Sequence, residues 1–306
     1  MSILVGRMKW LILPEKPRIR YHCRLLNLST GECILAHLPE FRGHRVFSPS
    51  TEGLVLLLHE STHVARLLNP LTHQLTDLPP VTTLLDLLLP LCDLSVDGFG
   101  LADDRTVVIH NTVFLAVAKP GDKCWTAVNL TDCLRPSMSF AGRFYGVTSD
   151  AIMVVVSRES QTPQLVEAAD LTLQHRFSRM LGGAHLVDNN IGELLLVHRT
   201  LSGNKRLYQA YRVDLDGRKT VPVRGLGGRA VFIGHDCSLS VSPATFPSIV
   251  GDAVYPGFDC GDRTGLEHIE AYHQLADGTI EHSCYEDPGK EWEHPVSIAD
   301  YLSSWV

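Results

Sequence analysis

The sequence has little that would tie it to a membrane, a metal or a nucleic acid. No apolar run approaches the ~20 residues that a spanning helix needs. The run Trp10–Leu13 stops at Pro14, and residues 84–94 are interrupted by Asp86, Pro90 and Asp93. The first run is also far shorter than a signal-peptide core, so cytosol or nucleus is the expected location. Broad basic character is missing too. The net charge is −7, which argues against a nucleic-acid binder working through a wide cationic face. None of the eight cysteines (23, 33, 92, 124, 133, 237, 260 and 284) forms a Cys-x-x-Cys pair. In a chain of 306 residues they need not staple a fold. They read as mostly reduced thiols of an intracellular protein. The sequons at Asn27 and Asn129 are short enough to arise by chance. There is no Gly-x-Ser-x-Gly elbow of the common serine hydrolases. No helical pattern of twelve or more residues stands out.

What the chain does have is a succession of short apolar runs separated by turn clusters. The runs cover residues 54–58, 106–110, 113–118, 152–156, 194–198 and 230–233. Between them lie Asn69-Pro70, Pro120-Gly121-Asp122, Asp214-Leu215-Asp216-Gly217 and Asp277-Gly278. Proline with its fixed φ and glycine with its free φ make these turns, so the runs read as strands. A longer period runs through them. Leu25-Leu26-Asn27 followed by Leu38-Pro39 returns as Leu67-Leu68-Asn69 followed by Leu78-Pro79. Asn69 to Lys119 is 50 residues and Gly142 to Gly192 is 50, whereas Asp216 to Asp277 is 61. Several strands per 40–50 residues match a propeller blade. The expectation is an all-β β-propeller of about six four-stranded blades, as a single domain over residues 1–306. One blade cannot bury both its faces, and stacking blades around an axis covers them.

A few stretches carry a more specific likeness. They are Trp10-Leu11-Ile12-Leu13-Pro14, residues 53–58 with Leu67-Leu68-Asn69-Pro70-Leu71-Thr72, residues 118–125, and Phe140-Ala141-Gly142-Arg143-Phe144-Tyr145. The most distinctive is Leu226-Gly227-Gly228-Arg229-Ala230-Val231-Phe232-Ile233-Gly234, continuing through Ser238, Ser240 and Phe246-Pro247. In these stretches the chain resembles the KIB-type β-propeller family of plant F-box proteins, a domain of unknown function. The resemblance implies a kelch-like, protein-binding propeller acting as the substrate receptor of a ubiquitin ligase. Members of that family carry an F-box before the propeller, which docks on the Skp1 adaptor. Here the propeller-like sequence begins almost at Met1, so an F-box is expected to be absent and Skp1 is not an expected partner of this chain.

Four local features invite chemistry. His59-Glu60-Ser61-Thr62-His63 matches His-Glu-x-x-His, which on a helix places two imidazoles on one zinc beside a glutamate base. The flanking apolar runs and Asn69-Pro70 instead read as strand, tight turn, strand, with the two imidazoles about 13 Å apart if extended. Gly225-Leu226-Gly227-Gly228 could cradle phosphate, but residues 230–233 read as a strand and not the helix a dinucleotide fingerprint needs. Asp214 and Asp216 flank a hairpin turn and lack a calcium-loop pattern. Trp292 and Trp305 read as packing on the last blade ahead of anchoring a partner.

The function expected from these readings is binding of a protein partner and not catalysis. No catalytic, cofactor-binding or metal-binding residue is assigned. Zinc hydrolysis through His59 and His63, or a degenerate family member without a dedicated partner, are the alternatives.

Overall fold

In the computed structural model the described residues are 10–13, 21–47, 50–84, 96–103, 105–156, 162–171, 183–202, 205–234, 238–256 and 270–282. They form 24 strands in six sheets. Two short 3-10 turns, Pro39–Phe41 and Val81–Leu84, lie between strands. The first sheet holds β1 (Trp10–Leu13), β2 (His22–Asn27) and β3 (Cys33–His37). The second holds β4 (His44–Val46), β5 (Val55–His59), β6 (Val64–Asn69) and β7 (Gln74–Pro80). The third holds β8 (Gly98–Leu101), β9 (Val107–His110), β10 (Leu115–Ala118) and β11 (Thr126–Val128). The fourth holds β12 (Ser137–Phe140), β13 (Arg143–Val147), β14 (Ala151–Val156) and β15 (Gln164–Asp170). The fifth holds β16 (Ala184–Asp188), β17 (Leu194–Ser202), β18 (Lys205–Asp214) and β19 (Lys219–Val223). The sixth holds β20 (Ala230–Ile233), β21 (Ser238–Val241), β22 (Ala253–Pro256), β23 (Glu270–Gln274) and β24 (Ile280–His282).

Six cores lie between consecutive sheets, and they close a ring. In β5, Val55 and Leu57 pack toward the first sheet while Leu56 and Leu58 pack toward the third. In β9, Val107 and Ile109 join the second sheet's core and Val108 the fourth's. In β17, Leu194 and Leu196 face the fourth sheet and Leu195 and Val197 face the sixth. In β20, Val231 and Ile233 face the fifth sheet, whereas Ala230 and Phe232 face the first. There they meet Leu11, Leu13 and Leu26, and the ring is complete. Side chains alternate across a strand with period two. A strand covered on both faces must therefore be apolar at every position. That is why the second strands read as unbroken runs.

The fold is thus a six-bladed β-propeller. Four blades have four strands, all antiparallel. The two blades at the chain's seam depart from that expectation. Among the described residues the first blade has three strands. The sixth has five, in the order β21-β20-β22-β23-β24, and β20 pairs parallel with β22. The chain reaches the second position of this blade first, turns in to the innermost position, then returns outward. This detour and the fifth strand account for the 61-residue interval.

The 50-residue spacings fall on equivalent turns. Asn69 ends and Lys119 follows the third strand of its blade, and Gly142 and Gly192 lie in turns after first strands. The repeated Leu-Leu-Asn ends in a cap. The Asn27 side-chain oxygen accepts from the Ser29 and Thr30 N–H groups, and Asn69 does the same for Leu71 and Thr72. Such Asx turns substitute a side chain for a backbone acceptor. Asn27 is buried, so its sequon is occupied by structure.

Candidate functional site

The innermost strands β8, β12, β16 and β21, with residues that follow β4, converge on a central cavity of about 180 Å³. Its wall includes Asp97, Arg135, Ser137, Ser139, Phe47 and Phe99. The loop after β4 reaches across one end. Thr51 donates its hydroxyl to the Ser139 carbonyl at 2.8 Å, spanning from the second sheet to the fourth. Beside it Glu52 is largely withdrawn from water. Burial pushes its carboxyl above the usual range, against hydroxyl contacts from Ser50, Ser139 and Thr51 that pull it down. At the other end Arg135 forms an ion pair with Asp97.

Two glycines make this convergence possible. A Cβ on Gly98 would lie 2.5 Å from His110 Nε2 and 2.8 Å from Ser137 Oγ. A Cβ on Gly100 would lie 2.2 Å from Ser139 Oγ and 2.8 Å from Phe144 Cδ2. Glycine inside a strand marks such an approach. The space is used for polar links between the third and fourth sheets. His110 Nε2 and Ser137 Oγ are 2.5 Å apart, and the Leu101 N–H donates to Ser139 Oγ at 2.7 Å.

Ser137, His110 and Asp97 together have the residue types of a hydrolytic triad. Their electrostatics fit a clamp better. Burial drives the His110 pKa down to about 4, with Asp97 opposing and Arg135 assisting. A general base is most effective with a pKa near the working pH. An imidazole held neutral to pH 4 is a weak one and serves here as an inter-blade hydrogen-bonding group.

The sequence-derived candidates lie elsewhere. His59 ends β5 and His63 precedes β6, so the segment is a hairpin turn as expected from its flanks. The expected separation is corrected, however. The His63 N–H donates to the His59 carbonyl at 2.9 Å, so the two residues face each other across the turn and are not 13 Å apart along an extended strand. What engages His59 is the turn itself. Its Nδ1 takes the Ser61 and Thr62 N–H groups at 3.3 and 3.2 Å. That nitrogen is a turn acceptor, and its lone pair is committed to the hairpin. Among the described residues no cluster of three or more His, Cys, Asp or Glu side chains could hold a metal ion.

Gly225 to Gly228 do form an anion cradle, and Asp252 fills it. The Leu226 and Gly228 N–H groups donate to Asp252 Oδ1 at 2.5 and 3.0 Å. Gly227 and Gly228 sit at φ +68° and +73°, a region that favours glycine. Next to this turn Arg229 donates to Ser240, Ser240 donates to Asn189, and the Asn190 amide donates to the Ser240 carbonyl. The most distinctive sequence block is therefore the joint between the fifth and sixth blades. Asp214 caps its own hairpin through the Gly217 N–H at 2.9 Å. Trp125 is buried and donates its indole N–H to the Pro79 carbonyl at 2.8 Å, tying the second blade to the third. None of the four described cysteines forms a disulfide. Trp292, Trp305 and Cys92, Cys237, Cys260 and Cys284 lie outside the described residues.

The sequence profile of the KIB1-4 beta-propeller matches residues 25–274. The chain belongs to the KIB1-4 beta-propeller family. This agrees with the likeness read from the sequence blocks, and the matched span runs from β2 to the end of β23. No curated protein matches the chain. Solved structures with a related shape include virginiamycin B lyase from Staphylococcus aureus, 10% identical, covering 80% of this chain and 82% of that one at a TM-score of 0.40. YCF48 from Cyanidioschyzon merolae is 11% identical over 73% of this chain and 80% of that one, with a TM-score of 0.38. Kuenenia stuttgartiensis hydrazine synthase is 12% identical over 57% of this chain at a TM-score of 0.36, and the match spans 47% of that chain.

The channel residues were not singled out from sequence. The available signal was Gly98-x-Gly100 within a strand facing Ser137-x-Ser139 within another. No helix among the described residues is long and apolar enough to cross a membrane.

Proposed function

We propose that the chain is a protein-binding propeller that presents one loop face to a partner, and that it serves as the substrate-recognition module of a ubiquitin ligase. The observation that carries this reading is the KIB1-4 family match over residues 25–274. The architecture is compatible with it. The apolar faces of the blades are consumed between neighbours, which leaves the turns at the two ends of the ring to meet other molecules. The turns after the first and third strands share one end, and there Ile191 and Leu71 are exposed. Val113 is exposed on a turn at the opposite end. An exposed apolar side chain on a rigid turn is suited to anchor a partner protein.

The ligase role requires an F-box for the Skp1 adaptor, and this propeller by itself is not expected to bind Skp1. The test is affinity purification of the tagged chain against Leu71→Asp, Ile191→Asp and Val113→Asp variants of equal stability. A partner held by one end is lost from the variants at that end and kept by the other. Absence of any reproducible partner would favour a degenerate family member. Tight direct binding of purified Skp1 would overturn the assignment of the adaptor contact to a separate F-box.

A further inference from the structure

We propose that the central cavity is a binding site for a small, uncharged, polyhydroxylated molecule of the monosaccharide or cyclitol class. Three observations lead there. First, the cavity's charges are internally balanced. Asp97 and Arg135 neutralise one another, so neither an anion nor a cation gains an unopposed partner there. Glu52, next to the Thr51 floor, is biased by burial toward its neutral acid.

Second, the polar groups of the wall keep both donors and acceptors in reserve. A hydroxyl offers one donor and two acceptor sites, and a guanidinium offers five donors. Thr51 spends its proton on the Ser139 carbonyl and keeps its lone pairs. Ser139 accepts from the Leu101 N–H and turns its own hydroxyl to Glu52, so the donors in reserve are those of Arg135. Arg135 has N–H groups beyond those that meet Asp97. A wall that both gives and takes hydrogen bonds is complementary to hydroxyl groups, which also do both. A purely donating wall would instead select an anion, and a purely accepting wall a cation.

Third, these groups are fixed in advance. Thr51 is bound across the ring to the fourth blade, Ser139 is bound to the third, and Ser137 is 2.5 Å from His110 Nε2. Their rotamers cost little to order when a ligand arrives. Phe47 and Phe99 contribute ring surface to the same wall, suited to the C–H faces of a sugar or cyclitol. The cavity of about 180 Å³ restricts the ligand to one small ring. It is smaller than the roughly 300–1,000 Å³ typical of drug-sized pockets.

The test is saturation-transfer NMR followed by calorimetric titration of the full chain. The probes are glucose, galactose, myo-inositol and glycerol, with glucose 6-phosphate and glucosamine as charged counterparts. At least one uncharged ring compound is expected to bind, and its charged counterpart at least tenfold more weakly. Arg135→Gln at the half-exposed rim is expected to weaken binding about tenfold, in line with the loss of one hydrogen bond to a charged donor. Ser137→Ala should also weaken it, and Arg218→Ala, on an outer hairpin, should not. Arg135→Gln removes the Asp97 ion pair but leaves the His110–Ser137 and Leu101–Ser139 links between the third and fourth blades in place, so the result does not depend on Ser137→Ala folding. Absence of saturation transfer to every uncharged ring compound would overturn the proposal. So would preferential binding of a charged probe, or affinity unchanged by Arg135→Gln.

Discussion

Replacing Gly100 by alanine tests the packing of the channel directly, because two physical effects predict opposite signs. Glycine in a strand interior costs conformational entropy, and replacing it where the backbone permits stabilises by about 0.4–1 kcal/mol. The backbone of Gly100 lies outside the left-handed region, so this gain is available. Against it stands the space. The new methyl would sit 2.2 Å from Ser139 Oγ and 2.8 and 2.9 Å from two carbons of the Phe144 ring. Phe144 is fully buried and cannot yield cheaply. Overpacking of this kind costs about 1–3 kcal/mol. Displacing Ser139 also takes the acceptor from the buried Leu101 N–H, a further ~1–3 kcal/mol. The net expectation is destabilisation of about 2–5 kcal/mol, read as a lower urea midpoint at unchanged slope. In a double-mutant cycle, Ser139→Ala should relieve part of the clash. The pair should therefore cost less than the sum of the single changes, by about 1–2 kcal/mol. The Phe144 contacts keep the rescue incomplete. A neutral or stabilised Gly100→Ala protein would refute the close approach of β8 and β12.

Three further outcomes follow from the same structure. His110 is held neutral in the folded chain with a pKa of about 4, below its ordinary 6.5, so the unfolded chain takes up the proton first as pH falls. Its contribution is intact above pH 6.5 and lost progressively down to pH 4, roughly 3 kcal/mol in all, and His110→Gln should flatten that part of the stability–pH curve. Asp252→Ala should cost about 2–3 kcal/mol in urea unfolding through the orphaned Leu226 and Gly228 N–H groups, and Asp252→Asn, which keeps an acceptor, markedly less. Equilibrium dialysis should find no stoichiometric zinc sensitive to His63→Ala. Metal lost in that variant would overturn the hairpin assignment of His59 and its turn.

What was legible in the sequence was whatever repeats locally. Residues 54–58 and 230–233 read as buried strands because each is covered on both faces. The Leu-Leu-Asn pairs marked equivalent turns because each asparagine caps its own chain within three residues. The His-Glu-x-x-His segment read as a hairpin for the same reason, although the distance across it did not follow from an extended strand. The seam and the channel were not legible. The inward detour of β21 and the parallel β20–β22 pair break the repeat without any local mark. Thr51 and Ser139 are 88 residues apart, and Leu101 and Ser139 are 38 apart. Such polar links arise from ring closure, and a serine that makes one looks in sequence like any other.

The closing core between the first and sixth blades has a consequence for how the protein is made. Thr245 bonds the Ser29 carbonyl across 216 residues of chain. At about 5–20 residues per second, a ribosome needs roughly 10–40 s to span that interval. For nearly all of that time Leu11, Leu13 and Leu26 have been synthesised and their partners Phe232 and Tyr255 have not. The nascent first blade must wait with one apolar face uncovered, which makes it the segment of the growing chain most in need of a chaperone.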